Sequence, residues 1–210
     1  MISVTRVCRA AVALAVLFAL PFAAQAATWE IDASHSSIEF SVRHLMISNV
    51  TGKFKDFAGT IDFDGKDASK ATVEVTIQSA SIDTGIEKRD EHLKNADFFD
   101  VAKHPTLTFK STKVEPTGEK TAKITGDLTM HGVTKSVTLE AELLGTLNDP
   151  KLGSRAGFTG STTVNRKDFG LTYNKVLEAG GVAVGEEVKV TLQIEATEKA
   201  AEPAKDAKGK

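Results

Sequence analysis

An alternation of apolar and polar residues with a period of two runs from Ile38 to Phe63, and it limits the fold more than any other feature of the sequence. Such a period is expected when one face of a β-strand meets a core and the other meets water. The alternation covers residues 38–44, continues over 50–54, slips by one residue around Lys55 and Asp56, and resumes over 57–63. A single extra residue is typical of a β-bulge, so the stretch predicts a long, curved antiparallel hairpin.

The first 26 residues have the layout of a secretory signal peptide. Arg6 and Arg9 precede an apolar run from Ala10 to Ala24, and small residues surround a cleavage point after Ala26. The run is shorter than the roughly 20 residues of a membrane span, although an uncleaved anchor is the alternative. We therefore expect a periplasmic domain over residues 27–197. A solvated, disordered Lys/Ala-rich tail is expected over 198–210, which lacks large apolar residues.

The charge and cysteine content of the mature chain exclude several classes of function. Removing the leader removes two of 26 basic residues, which leaves 24 against 28 acidic residues and a formal charge of −4. This balance argues against nucleic acid as a partner. Cys8 is the only cysteine and lies in the leader, so the mature chain has no disulfide, thiolate ligand or thiol nucleophile.

The rest of the chain continues the strand pattern around one helix. A third strand is predicted over residues 73–77, and Thr84 and Glu87 have the spacing of a capping box before a helix over 86–95. Further alternating segments cover 107–109, 122–128, 137–143, 156–164 and 188–196, and an irregular loop covers 165–185. About eight strands with short turns favour an all-β barrel or sandwich, with one short helical insertion after strand 3, over a parallel α/β sheet.

Five groups of residues, in this order, resemble the YceI-like family. The groups are Asp32, His35, Ser36, Phe40 and His44; Gly52, Phe54, Phe57 and Gly59; Arg89, Asp90, His92, Leu93 and Asp97 to Phe99; Gly126 to Thr129 with His131 to Thr134; and Asn165 to Gly170. The resemblance implies an eight-stranded antiparallel lipocalin-like barrel that is mostly periplasmic and binds long apolar lipids, with polyisoprenoids as the type ligand. Transient contact with a membrane or membrane protein is then expected, and a homodimer is left open.

The inward faces are rich in phenylalanine and poor in polar groups, since the chain has 11 Phe against one Trp and one Tyr. Any single position fits an ordinary barrel core, but the whole set favours an apolar lining around a ligand. Burial of an apolar chain contributes about 0.8 kcal/mol per CH2, whereas association costs roughly 4–15 kcal/mol. A ligand held only by such contacts must be long, with on the order of ten or more buried carbons.

We predict twelve residues as lipid contacts, each with a structural alternative. They are Phe40, Val42, His44, Phe54, Phe57, Arg89, His92, Phe98, Phe99, Phe109, Phe158 and Phe169. His44 is in phase with the inward row. It either contacts a lipid head group or makes its hydrogen bonds with nearby groups of the protein. Arg89 and His92 share one helix face, which either meets a head group at the barrel end or is simply solvated. Phe98 and Phe99 are expected to plug the barrel end rather than insert into a membrane.

The loop after residue 164 carries basic residues with two interpretations. Arg166 and Lys167 could attract a phosphate, but we favour a structural clamp in which Arg166 and Asp168 hold the loop.

No metal site, cofactor or catalytic group is expected. The five histidines do not pair at i, i+2 or i, i+4, and no cysteine supports them. Ser36 follows His35 directly, so the two side chains would point to opposite faces of a strand. The sequence therefore predicts a non-enzymatic carrier of an isoprenoid, quinone-like or fatty-chain lipid. The alternatives are a structural or stress-related interaction protein with a filled barrel, and a lipid-modifying enzyme.

Overall fold

The computed structural model describes residues 27–64, 66–178 and 180–199. The strands are β1 (Ala27–Ile31), β2 (Ser37–His44), β3 (Ser48–Phe54), β4 (Phe57–Phe63), β5 (Thr72–Gln78), β6 (Ile82–Asp83), β7 (Thr106–Pro116), β8 (Thr121–Met130), β9 (Val133–Asp149), β10 (Gly153–Asn165) and β11 (Val184–Glu198), and the helix is α1 (Glu87–Lys94). The predicted signal peptide and most of the predicted tail lie outside the described residues. No helix within the described ranges is long and apolar enough to span a membrane.

Eight of these strands form a closed antiparallel barrel, as predicted. The ring runs β1-β4-β5-β7-β8-β9-β10-β11 and closes through the pairing of β11 with β1, where Trp29 lies opposite Glu198. The remaining strands, β2, β3 and β6, extend the sheet from the N-terminal half of β11. β11 thus changes partner from β2 to β1 along its length, and we call this place the seam.

The hairpin predicted for residues 38–63 is confirmed in its first half and differs in its second. β2 pairs with β3 from Ile38 opposite Phe54 to His44 opposite Ser48. β4 instead pairs with β1 and β5. The predicted bulge is wrong, because Lys55 and Asp56 form a corner between two strands. Their backbone groups bond to Ser81 O and Gln78 N at 3.2 and 2.9 Å, and this corner carries the chain from one partner to another.

The helical insertion is confirmed, but its predicted capping box is wrong. Ile86 occupies the N-cap without a side-chain hydrogen bond. Asp90 takes the role expected of Glu87, since its Oδ1 accepts from Thr84 N at 2.9 Å and from Thr84 Oγ1. Gly85, at a φ of 76°, turns the chain just before the helix.

The two ends of the barrel are built from different elements. One end, here the closed end, carries α1, the β8–β9 turn and a 3-10 segment, Arg166–Phe169. The other end, here the mouth, carries the β4–β5, β7–β8 and β9–β10 turns. The larger core cluster, which includes Phe54, Met130 and Phe169, packs at the closed end. A smaller cluster around Trp29 and Ala196 packs beside the seam.

Candidate functional site

A cavity of about 340 Å³ runs through the barrel, and nearly all of its lining is hydrocarbon. Its lining reaches Phe98 and Leu171 at the closed end and Gly118 and Thr121 at the mouth. β8 contributes both Thr121 and Met130, which are its first and last residues. Ten strand residues extend roughly 30 Å, or about 23 Å along the axis of a barrel with a typical tilt. The cavity therefore suits a long, narrow guest.

Aromatic side chains fill the closed end of the cavity. The Phe99 ring meets the Phe54 ring edge-on at a centroid distance of 5.8 Å, and Phe54 lies 5.9 Å from Phe40. Phe98 is buried and packs against Tyr173 at 5.1 Å. Phe98 and Phe99 thus pack into this end of the barrel, which is the plug arrangement predicted for them.

Arg166 is the buried cation of the closed end, with 4% of its surface exposed. Arg166 is among the residues that line the cavity, and its guanidinium donates to three backbone carbonyls, those of Leu171, Val184 and Gly185. Burial lowers the pKa of Arg166 from its usual value. The predicted clamp is therefore present, but Arg166 bonds to the backbone of the 165–185 loop rather than to Asp168.

The polar residues of the helix are engaged in structural contacts. Arg89 donates to Thr84 Oγ1 at 2.7 Å and to Thr84 O at 2.8 Å. His92 Nε2 donates to Asp97 Oδ2 at 3.0 Å, and its ring packs on Phe98. Neither side chain is part of the cavity lining. A head-group role for this helix face stays a prediction.

The structure divides the twelve predicted lipid contacts into two sets. Those that line the cavity are Phe40, Val42, Phe54, Phe98, Phe99, Phe109 and Phe158, and those that lie outside the lining are His44, Phe57, Arg89, His92 and Phe169. Phe57 and Phe169 are buried in the core cluster of the closed end. His44 ends β2 opposite Val184. Period-two alternation identifies an inward face, but it does not distinguish cavity from packed core.

The mouth was not predicted from the sequence. Residues 118–120 in the β7–β8 turn and Thr121 at the start of β8 line the cavity and are exposed, so the cavity meets solvent there. Leu144, Leu147 and Leu152, on β9 and the turn that follows it, are 54%, 48% and 60% exposed. We call these three leucines the mouth patch. Leu143, which precedes Leu144, lines the cavity itself.

An ionic cluster lies at the seam, on the outside of the cavity lining. Arg155 reaches Glu195, and its Nη1 lies 3.4 Å from Asp32 Oδ2, while His35 Nδ1 donates to the same Asp32 oxygen at 2.8 Å. The hydrogen bond from His35 lowers the pKa of Asp32 to about 2. The same contact raises the pKa of His35. The cluster ties the β1–β2 connection to β10 and β11.

A second group of titratable residues lies beside the closed end. Asp100, His104 and His131 each offer a ligand atom, and these atoms all lie within 4.8 Å of one another. Histidine spacing alone could not reveal this group, because His104 and His131 belong to different turns and meet only in the folded chain. Their ring centroids are 4.7 Å apart.

Comparisons with known proteins agree with this architecture. A family model described as the YceI-like domain matches residues 29–196. A UPF0312 protein of Pseudomonas paraeruginosa is 46% identical over 174 residues, which cover 82% of this chain and 87% of that protein. A YceI protein of Campylobacter jejuni, 35% identical, has a similar crystal structure with a TM-score of 0.66, covering 75% of this chain and 90% of that one.

A more distant structure shares the fold. It is a polyisoprenoid binding domain from Saccharophagus degradans, implicated in plant cell wall breakdown. It is 18% identical, has a TM-score of 0.59, and the match covers 81% of this chain and 98% of that one.

Proposed function

This chain belongs to the YceI-like family, and on that premise we propose that it binds, stores or carries a long-chain apolar lipid inside its barrel. We place this activity in the periplasm, where the leader sequence would direct the chain. The structural neighbour from Saccharophagus degradans is described as a polyisoprenoid binding domain, which supports a lipid ligand of the isoprenoid type. In this proposal the protein is a binding protein and not an enzyme.

The observation that carries the proposal is an apolar cavity that continues from the plug to the mouth. Its length of about 23 Å along the barrel axis approaches the roughly 30 Å hydrocarbon core of a bilayer. A lipid that fills it must be longer than a single short acyl chain. Each buried methylene contributes about 0.8 kcal/mol, so a long chain overcomes the entropy lost on association.

The polarity of the two ends suggests how the lipid lies. The closed end offers aromatic rings and an arginine whose guanidinium already bonds to three backbone carbonyls. The mouth offers exposed polar residues, including Glu119 and Lys120. A polar head group keeps its hydration at the mouth and would lose it at the plug. The apolar tail therefore points inward in our proposal.

Solvent extraction tests the proposal directly. The protein is purified from its native compartment without detergent and extracted with organic solvent, and the extract is analysed by mass spectrometry. We expect a long-chain lipid at close to one molecule per barrel. Stripped protein should take up a polyprenol or long-chain quinone more tightly than a short fatty acid. A barrel that yields no lipid and takes up none of these probes would instead support the structural or stress-related role.

The mouth patch provides the surface for exchange with a membrane. Its three leucines are exposed beside the opening, and an apolar patch of this kind can rest on a lipid surface. Substituting Leu147 and Leu152 by Glu should slow lipid transfer from vesicles at least tenfold. Ile47→Glu is the control, because Ile47 is also apolar and is even more exposed, but lies in the β2–β3 turn, away from the mouth. Equal slowing by the control would remove the mouth patch from the proposal.

A further inference from the structure

We propose that Asp100, His104 and His131 form a binding site for a divalent transition-metal cation of the zinc type, which fastens the closed end of the barrel. Two imidazoles and one carboxylate are a ligand set that zinc commonly accepts, with a fourth position for water. The inference is independent of the lipid, since none of the three residues lines the cavity.

The local backbone brings the three side chains together. Asp100 and His104 share one turn, in which His104 N donates to Asp100 O at 2.9 Å. His131 lies in the β8–β9 turn at a φ of 52°, followed by Gly132 at a φ of 75°. A Cβ on Gly132 would lie 2.7 Å from His104 Cε1, so the absence of a side chain there lets the two turns approach.

The hydrogen bond of His131 leaves one of its ring nitrogens available to bind a metal. Its Nδ1 lies 3.2 Å from Phe169 O, and a carbonyl only accepts, so Nδ1 carries the proton. The lone pair of the neutral ring is then on Nε2. Metal-bound histidines typically donate their second ring nitrogen to a carbonyl or carboxylate in this way. The contact with Phe169 also links the site to the 3-10 segment that contains Arg166.

The distances and charges allow a cation to bind. Two ligands of a tetrahedral zinc ion lie roughly 3.4 Å apart, so the separations of up to 4.8 Å require only small side-chain rotations. Asp100 Oδ2 also contacts Lys103 Nζ at 2.8 Å. The Lys103 side chain is 74% exposed against 14% for Asp100, so the ammonium group can move into solvent when the carboxylate binds a cation.

The seam cluster is a useful contrast. Asp32, His35 and Glu195 also offer ligand atoms close to one another. The guanidinium of Arg155 already contacts both of its carboxylates and supplies the positive charge. A metal ion would have to displace a partly buried arginine there, so the seam is a matched control for the closed-end site.

Zinc titration of untagged, metal-stripped protein tests the site. Calorimetry should give one zinc ion per chain, and at a hundredfold excess over Kd the melting temperature should rise by roughly 5–10 °C. His104→Ala and Asp100→Asn should each weaken zinc binding at least tenfold, and His35→Ala should leave it unchanged. The Co²⁺-loaded protein should show a visible absorption spectrum that His104→Ala removes.

Asp100→Asn keeps the shape of the side chain, so a loss of zinc binding in this variant can be distinguished from a loss of folding. The melting temperature of each metal-free variant confirms that its fold is intact. The proposal is overturned by a wild-type protein that binds no zinc. It is equally overturned by folded His104→Ala and Asp100→Asn variants that bind zinc as the wild type does, or by binding that disappears in His35→Ala.

Discussion

The closed end and the mouth of the barrel differ in their packing and polarity. The closed end combines aromatic rings in edge-to-face contact with a buried guanidinium that bonds to three backbone carbonyls, so its loops are tied together by specific contacts. The mouth has small residues and exposed polar turns around an open cavity. Stability should therefore be sensitive to changes at the closed end, whereas binding should be sensitive to changes at the mouth.

Arg166→Met tests the closed end with the largest expected effect. Its removal takes away the guanidinium donors to Gly185 O and Leu171 O, and each buried, unpaired carbonyl is costly. Val184 O also loses a bond to Arg166 but keeps Asn174 Nδ2 as a donor at 2.7 Å. We expect a loss of about 3–5 kcal/mol in the free energy of unfolding, measured by urea denaturation.

The neighbouring residue supplies a control for the loss of charge. Lys167 pairs with Glu186 at 2.5 Å, and both side chains are more than 40% exposed. Lys167→Met should change the stability by less than about 1 kcal/mol. Similar losses in both variants would mean that the guanidinium is not what holds the closed end.

Ala141→Phe tests the mouth, where binding should change and stability should not. Ala141 lines the cavity and lies opposite Ala122 on one side and Gly160 on the other, so three small residues leave space there. A phenyl ring in that space would displace roughly four methylenes of a lipid, a loss of about 3 kcal/mol or roughly a hundredfold in affinity. Displacement of a fluorescent long-chain lipid measures the change.

Glu140→Phe is the control for this substitution, because Glu140 is the preceding residue on β9 and faces solvent. It should leave lipid affinity unchanged. An Ala141→Phe protein that binds lipid as tightly as the wild type would show that the guest does not occupy this part of the barrel.

Gly52 and Gly157 differ in how closely their surroundings are packed. A Cβ on Gly52 would lie 2.8 Å from Thr84 Cγ2 and would also clash with the Phe40 ring, whereas a Cβ on Gly157 would meet only Leu144 Cβ at 3.8 Å. Gly52→Ala should lower the stability by about 1–3 kcal/mol through overpacking. Gly157→Ala should raise it by about 0.4–1 kcal/mol, since the unfolded chain loses freedom. Thermal melting of both variants checks the difference, and an equal response would contradict it.

The sequence predicted the barrel better than it predicted the site. Period-two alternation is a local signal, and it located most strands and the inward phenylalanines correctly. It could not show that Lys55 and Asp56 are a corner, because a bulge and a change of strand partner cause the same slip. It also could not locate Arg166 in the lining or bring His104 to His131, since those contacts depend on how distant loops pack.

The seam lies between the two ends, and its ionic cluster predicts a small dependence of stability on pH. The pKa of Asp32 is lowered to about 2, so its contribution is present above about pH 4 and is lost as the pH falls towards 2. The pKa of His35 is raised, so its contribution is present below about pH 6.5 and is lost as the pH rises through the raised value. Both contributions are complete only between about pH 4 and 6.5.

His35→Gln isolates the alkaline part of this profile. Several other aspartates with lowered pKa values, including Asp64 and Asp149, share the loss at acidic pH, so that limb is not specific to the seam. The wild-type melting temperature should fall slightly from pH 6 to pH 8, and the effect stays small because the His35 side chain is 61% exposed. His35→Gln should flatten this fall, while His44→Gln, which leaves the seam intact, should retain it. An unchanged slope in His35→Gln would mean that the seam is held by its backbone pairing and by Arg155 rather than by the charge on His35.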